Sequence, residues 1–306
     1  MKRIVLSVVI LLAGLFAASE IWPSKAAKVI LSGLHLFTGM SPQQVETPIG
    51  PVGYLRGGSG ETVVLLHGIF ARKEHWLDMS RQLSGYDLVM LDLPGFGDNP
   101  VLDGAEYAYD RQVANVFATL DALGIKEFHL VGNSMGSQIA TMMAAARPDQ
   151  IKTISYIGSP VGVTAPTPSD MERAIDEGNA PLVVRTATQY QDRMAWLFPK
   201  EPFLPRPLAR EWREAEIARA DSNQMIWDRV NASLTTPTDQ IAPQLTLPSL
   251  VIWCSDDRIF HPTGAAVLDA ALPDNTLITP SGCGHLPMLD RPKETGQELR
   301  AFLDKH

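Results

Sequence analysis

"HLVGNSMGSQIA", residues 129–140, decides how the chain reads. An apolar run, 129–131, reaches Gly132. Asn133, Ser134, Met135 and Gly136 follow, and then an Ala- and Met-rich stretch with helical spacing. A serine hydroxyl is a weak nucleophile until a base takes its proton, and it must project from the backbone to meet a carbonyl carbon. A tight turn from strand to helix projects it, but strains the dihedrals and crowds strand against helix. Small flanking residues relieve that crowding. Gly132-Asn133-Ser134-Met135-Gly136 has this G-x-S-x-G form. The strand before it and the helix after it separate it from an ordinary turn serine.

Outward from the serine, continuous apolar runs recur: "TVVLLHG" at 62–68, "DLVMLD" at 87–92, "FHLVG" at 128–132, "IKTISYIG" at 151–158 and "SLVIWC" at 249–254. A shorter run, "NTLITP", lies at 275–280, and 52–56 reads as a strand before the turn "GGSG". Runs apolar on both faces suit parallel strands covered by helices. Helical patterns separate them, at 109–124, 135–147 and about 293–304. The fold class is therefore α/β, a mostly parallel twisted sheet flanked by helices. Residues 162–240 break the rhythm and read as a proline-rich helical cap inserted over the sheet's C-terminal edge. The core then comprises 45–161 and 241–306. Most aromatic residues of the insertion would form its own core. A few would line a pocket, with Met194, Trp196, Met225 and Trp227 as candidates beside Phe70 and Leu286 of the core.

A serine nucleophile needs a base oriented by a carboxylate. After strand 249–254 come Ser255, Asp256 and Asp257. Past the next helix and strand, His285 stands in the Gly-rich loop "SGCGHLPMLDRP". The order Ser, Asp, His at successive strand ends is the one this architecture uses. Asp257 is the expected acid, and Asp256 shapes the turn. His285 would take the serine proton and return it to the leaving group. Oxyanion donors are expected from the backbone N–H of Met135, just after the nucleophile, and of Ile69 in "HGIF", with Phe70 as the substitute for Ile69. His67 ends a buried strand and reads as a loop brace rather than a chemical group.

These motifs together resemble the α/β-hydrolase fold family: "LLHGIFARKEHW", "LDLPGFGD", "FHLVGNSMG", "VIWCSDDRIF" and "GCGHLPMLDRP". The resemblance covers about 45–160 and 243–304. Within the family it is most similar to the membrane-associated monoacylglycerol-lipase-like group and bacterial lipases of that type. It implies carboxylester hydrolysis through an acyl-enzyme, with Ser134, Asp257 and His285 as the triad and no cofactor. Two positions depart from the family pattern. Ser137 replaces a usual Gly one turn into the helix, and Cys254 replaces the Gly that usually follows Trp253. Cys254 and Cys283 are predicted to end neighbouring strands. Two unpaired, buried thiols are the expectation; a disulfide is the alternative open to an exported protein.

Composition narrows the partners. Of 306 residues, 26 are basic and 34 acidic, a net charge of −8 without a long basic run. That excludes a nucleic-acid binder resting on clustered Lys and Arg. Neither the 7 histidines nor the 2 cysteines show metal-ligand spacing, so no metal is expected. Lys2 and Arg3 precede an uncharged stretch, 4–18, short for a spanning helix and suited to a signal h-region. Residues 1–22 therefore read as a signal peptide or membrane anchor, and the protein as exported to the cell envelope. Residues 23–44 read as an amphipathic linker helix with Ala27, Ile30, Leu31, Leu34 and Phe37 on one face, lying on a membrane or packed on the domain.

The leading function is thus a serine ester hydrolase of lipid-like esters such as monoacylglycerols. A C–C hydrolase of ring-cleavage products uses a similar elbow. That group usually carries a Trp soon after its histidine and lacks an export leader, whereas "HLPMLD" follows here and a leader is present. A non-catalytic binding protein on this fold would usually have lost triad members, and all three are present.

Overall fold

The computed structural model describes residues 19–306. Of the leader read at 1–22, residues 1–18 lie outside them. Eight strands form one sheet in the order β1-β2-β4-β3-β5-β6-β7-β8. They are β1 (Ser41–Thr47), β2 (Gly50–Gly58), β3 (Glu61–Leu66), β4 (Tyr86–Leu91), β5 (Phe128–Ser134), β6 (Ile151–Pro160), β7 (Ser249–Ile252) and β8 (Asn275–Ile278). β3 to β8 run parallel; β1 pairs antiparallel with β2, and β2 with β4. Each run expected to be apolar on both faces is a strand, and Val63, Val64, Leu65 and Leu66 are wholly buried. One core lies on each face of the sheet. Leu66, Leu130, Met135 and Tyr156 belong to the first; Leu65, Val131, Trp76 and Leu299 belong to the second. The chain is therefore an α/β protein with a mostly parallel sheet, as expected.

The helices that position the site are α1 (Pro23–Thr38), α2 (Tyr109–Ala122), α3 (Met135–Ala146), α4 (Asp170–Asp176), α5 (Ala187–Leu197), α6 (Arg206–Ala218), α7 (Ala220–Ala232), α8 (Gly264–Ala271) and α9 (Pro292–Leu303). The expected boundaries at 109–124, 135–147 and 293–304 sit within two residues of α2, α3 and α9. The helix expected over 23–44 is shorter. Gly39, at φ 71°, caps α1 in the left-handed region, and Ser41 opens β1. That strand escaped the sequence reading because "SPQQVET" is mostly exposed. It is an edge strand with one paired side, so no apolar run marks it. α1 buries Ala27 and His35 rather than Phe37, which is exposed, and packs on α6 with Ser24 Oγ donating to Glu211 Oε2 at 2.7 Å.

The cysteines correct a second expectation. Cys254 and Cys283 are joined in a disulfide, with Cα atoms 5.4 Å apart. They follow β7 and β8, which are paired, so the neighbouring strand ends expected of them bring the two Cα atoms within bridging range. The bridge closes a sequence separation of 29 residues. Chain-entropy arguments give such a loop about 3–4 kcal/mol. Thiol titration of the denatured protein should find no reactive thiol before reduction. A Cys254→Ser/Cys283→Ser variant should lose several degrees of Tm. Two reactive thiols in unreduced protein would rule the bridge out.

Candidate active site

The sharp turn inferred from G-x-S-x-G is present. Ser134 ends β5, has φ 53° and precedes α3. Phe70 is the other non-glycine residue with positive φ among those described. The two glycines have separate duties. A Cβ on Gly132 would lie 2.6 Å from Ser137 Cα, inside the first turn of α3; one on Gly136 would strike the Leu66 and His67 carbonyls. Gly132 thus lets the helix fold back on its own strand, and Gly136 lets it seat on the end of β3.

Asp257 and His285 are brought together. His285 Nδ1 lies 3.1 Å from Asp257 Oδ2, and both residues are buried. The other carboxylate oxygen, Oδ1, accepts the backbone N–H of Ile259 at 2.9 Å and of Phe260 at 3.2 Å. Asp256 instead accepts the Gly282 N–H at 2.9 Å, a bond to the loop that carries His285. The His285 backbone is held at both ends. Its N–H donates to Leu197 O at 3.0 Å, and its carbonyl accepts from Asn133 Nδ2 at 3.3 Å. Asn133, to which the sequence assigned no chemistry, also donates to Ile157 O at 2.7 Å.

Ser134, His285, Ile69, Phe70, Met194 and Leu286 line one cavity of about 240 Å³, with Leu31 and Leu34 of α1 on its wall. Met135 is the first residue of α3, so its N–H has no carbonyl one turn earlier to bond within the helix. Three pocket candidates sit elsewhere. Trp227 is buried with Met171, Leu182, Val183 and Ile259, and Trp196 packs on the same cluster. Met225 packs on the main core beside Gly104. Apolar helical residues fill the nearest core first, and sequence spacing alone cannot distinguish a wall facing substrate from one facing protein. A second, more open cavity of about 650 Å³ lies beyond Asp257, against α4 and α5.

The loop carrying Ile69 and Phe70 is braced from behind. His67 is fully buried; its Nδ1 lies 2.7 Å from Gly68 O, and its Nε2 accepts the Leu93 N–H at 3.0 Å. That pairing fixes the Nδ1–H tautomer and leaves no lone pair free for a substrate. Lys73 donates its backbone N–H to Asp92 Oδ1 at 2.9 Å and its ammonium to Asp92 Oδ2 at 2.6 Å. Burial pushes the His67 imidazole down to about 3.

A family model described as the alpha/beta hydrolase fold matches residues 61–292. Lipase 1 of Psychrobacter immobilis is 28% identical over 245 residues, covering 80% of this chain and 77% of its own. A monoacylglycerol lipase of Homo sapiens is 23% identical over 301 residues, covering 94% and 89%. The crystal structure of a membrane phospholipase A, described as a bacterial virulence factor, superposes with a TM-score of 0.90 at 33% identity. It covers 100% of this chain and 99% of its own.

The His67 brace has a pH signature. Its folded pKa is depressed, so the unfolded chain binds a proton below its ordinary value of 6.5 that the folded chain refuses. Its contribution is fully present above 6.5 and fades as pH falls toward 3. A His67→Gln variant should be less stable than wild type at pH 7.5. The deficit should narrow by roughly 2–3 kcal/mol between pH 6.5 and 4.5, at about 1.4 kcal/mol per pH unit. Urea midpoints measured across that range check it; a pH-independent deficit would contradict it.

Proposed function

We propose that this chain, which belongs to the α/β-hydrolase fold family and is a serine hydrolase of the lipase and esterase kind, cleaves lipid-like acyl esters such as monoacylglycerols through Ser134, His285 and Asp257. The observation that carries the reading is the strained Ser134 at the β5–α3 turn, in the wall of the same apolar cavity as a histidine already bonded to a buried carboxylate. Strain in a non-glycine residue persists only where the surroundings over-determine it, and it clusters at functional sites.

In this reading Ser134 Oγ attacks the ester carbonyl carbon while His285 Nε2 accepts its proton. Asp257 holds the Nδ1–H tautomer and stabilises the imidazolium. The backbone N–H groups of Ile69 and Met135 face the developing oxyanion. Collapse of the tetrahedral adduct breaks the carbon–oxygen bond, and the departing alcohol takes the proton from His285. Water then attacks the acyl-Ser134 ester with His285 as base again. The second collapse releases the fatty acid and restores the Ser134 hydroxyl. No step calls for a metal or an organic cofactor.

Leu31, Leu34, Phe70, Met194 and Leu286 give the cavity a wall suited to an acyl chain. Ser134→Ala should reduce p-nitrophenyl ester hydrolysis by at least about a thousandfold with the fold retained. Across an ester series, kcat/KM should rise roughly fourfold per added methylene, from about 0.8 kcal/mol each, until the cavity is full. Retained activity in Ser134→Ala would remove Ser134 from its role. A flat chain-length profile would remove the acyl-chain reading.

The reading of a place of action at a lipid surface is supported by α1. Among the described residues no helix is long and apolar enough to cross a membrane. Yet Val29, Leu36 and Phe37 are 72%, 85% and 66% exposed, near the exposed Ile21 and Trp22. A surface this apolar, next to a leader read as a signal or anchor, suits a helix lying on a lipid surface. Leu31 and Leu34 on the same helix face the cavity, so the proposed membrane side and the acyl-chain wall share one element. The disulfide suits the oxidising side of a cell envelope. A Val29→Asp/Leu36→Asp variant should hydrolyse vesicle-borne monoacylglycerol severalfold more slowly while keeping its rate on soluble p-nitrophenyl butyrate within about twofold. Equal loss on both substrates would contradict a membrane role for that face.

A further inference from the structure

A third side chain meets the histidine–aspartate pair. Ser159 is wholly buried near the end of β6. Its hydroxyl donates to Asp257 Oδ2 at 2.5 Å, and the same oxygen lies 2.9 Å from His285 Nδ1. A hydroxyl has one hydrogen. Once it points at the carboxylate, the oxygen can meet Nδ1 only as an acceptor. The contact therefore requires hydrogen on Nδ1 and leaves Nε2 with its lone pair. The Nδ1–H is shared between Asp257 Oδ2 and Ser159 Oγ, and among the described residues Asp257 has four donors: Ile259 N–H, Phe260 N–H, the Ser159 hydroxyl and His285 Nδ1–H.

The topology explains why this residue is on β6. In the sheet β6 lies between β5, which ends in Ser134, and β7, which leads to Asp257. The end of β6 must therefore pass beneath the ring of the base. Gly158 makes the passage possible: at φ 85°, a Cβ there would lie 2.5 Å from His285 O and 2.7 Å from Asn133 Nδ2. The next side chain, Ser159, then rises between carboxylate and imidazole. A buried hydroxyl at this spot would carry a desolvation cost if unpaired, and both its bonds go to the pair.

We propose that Ser159 is a positioning residue for His285. Its hydroxyl fixes the Nδ1–H tautomer, keeps the Asp257 carboxylate in the ring plane and accepts a share of the Nδ1–H bond when the ring becomes imidazolium. The proposal rests on the assignment of Ser134, His285 and Asp257 above. A role in ring orientation acts on proton transfer and leaves substrate binding alone, so its mark is in kcat rather than KM.

The test measures Ser134→Ala, Ser159→Ala and the near-isosteric pair Ser159→Thr and Ser159→Val on full-length protein with p-nitrophenyl butyrate. Proton NMR follows the downfield His285 Nδ1–H resonance of the fluorophosphonate adduct. Ser159→Ala should lower kcat roughly ten- to a hundredfold with KM within about twofold, and displace that resonance. Ser159→Thr should exceed Ser159→Val in kcat by about tenfold, because only the hydroxyl separates them. Wild-type kcat and an unmoved resonance in Ser159→Ala would overturn the proposal while leaving the triad standing. Should Ser159→Ala fail to fold, equal kcat in the Thr and Val variants overturns it. Full activity in Ser134→Ala would overturn the triad, and the Ser159 role with it.

Discussion

The close approach of α3 to the ends of β3 and β5 is the constraint on which the rest of the site depends. A serine can stand clear of the backbone only if helix follows strand without a loop, which holds Ser134 at φ 53°. A non-glycine residue there costs on the order of 1–3 kcal/mol. Burial of the central strands offsets that easily. Val63, Val64, Leu65 and Leu66 are all fully buried, and each such side chain contributes about 1.5–3 kcal/mol relative to exposure. The sheet is thus a rigid base against which one strained turn is held, and Gly132 and Gly136 stand at its two points of tightest contact.

Phe70, the second strained position, needs its own support because it lies in a loop. His67 and the Lys73–Asp92 pair supply it from beneath. A buried ion pair adds little net stability, since the desolvation of both charges consumes most of the attraction. Breaking one typically costs about 3–5 kcal/mol by stranding a charge. Its value here is positional. Asp92 follows β4, Lys73 follows β3, and their bonds lock the two loops that flank the cavity. Asp98 adds its own carboxylate to the Lys73 ammonium at 2.6 Å.

Much of this was legible because it depends on local chemistry. Runs apolar on both faces marked β3 to β7, and the elbow and the order Ser134, Asp257, His285 marked the strand ends. What was not legible depends on distance in sequence. β1 is polar and exists because β2 offers it an edge. The cysteines were placed at neighbouring strand ends, but their pairing depends on a 5.4 Å separation that no spacing encodes. Trp196, Met225 and Trp227 have the same apolar character as Met194, and only the packing decides which of them meets the cavity. Asn133 and Ser159 looked like unremarkable residues beside motifs. Their work is done on His285, 152 and 126 residues further along the chain. The one local hint was "GSP" at 158–160, a glycine before a polar residue at the end of a buried strand.

The histidine is held by parts of the chain that answer to different demands. Asn133 and Ser159 belong to the sheet, the most rigid part of the molecule. Leu197, which accepts the His285 N–H, ends α5, and α5 also presents Met194 to the cavity. Gly284 is small because a Cβ there would strike that same Leu197 carbonyl. One helix therefore sets both the room available beside Ser134 and one of the bonds on the histidine backbone. A change in α5 that reshapes the cavity moves the Leu197 carbonyl as well. The room in the cavity and the position of the His285 backbone are therefore coupled through α5. The sheet-borne contacts, from Asn133 to the His285 carbonyl and from Ser159 to its ring nitrogen, involve no residue of α5.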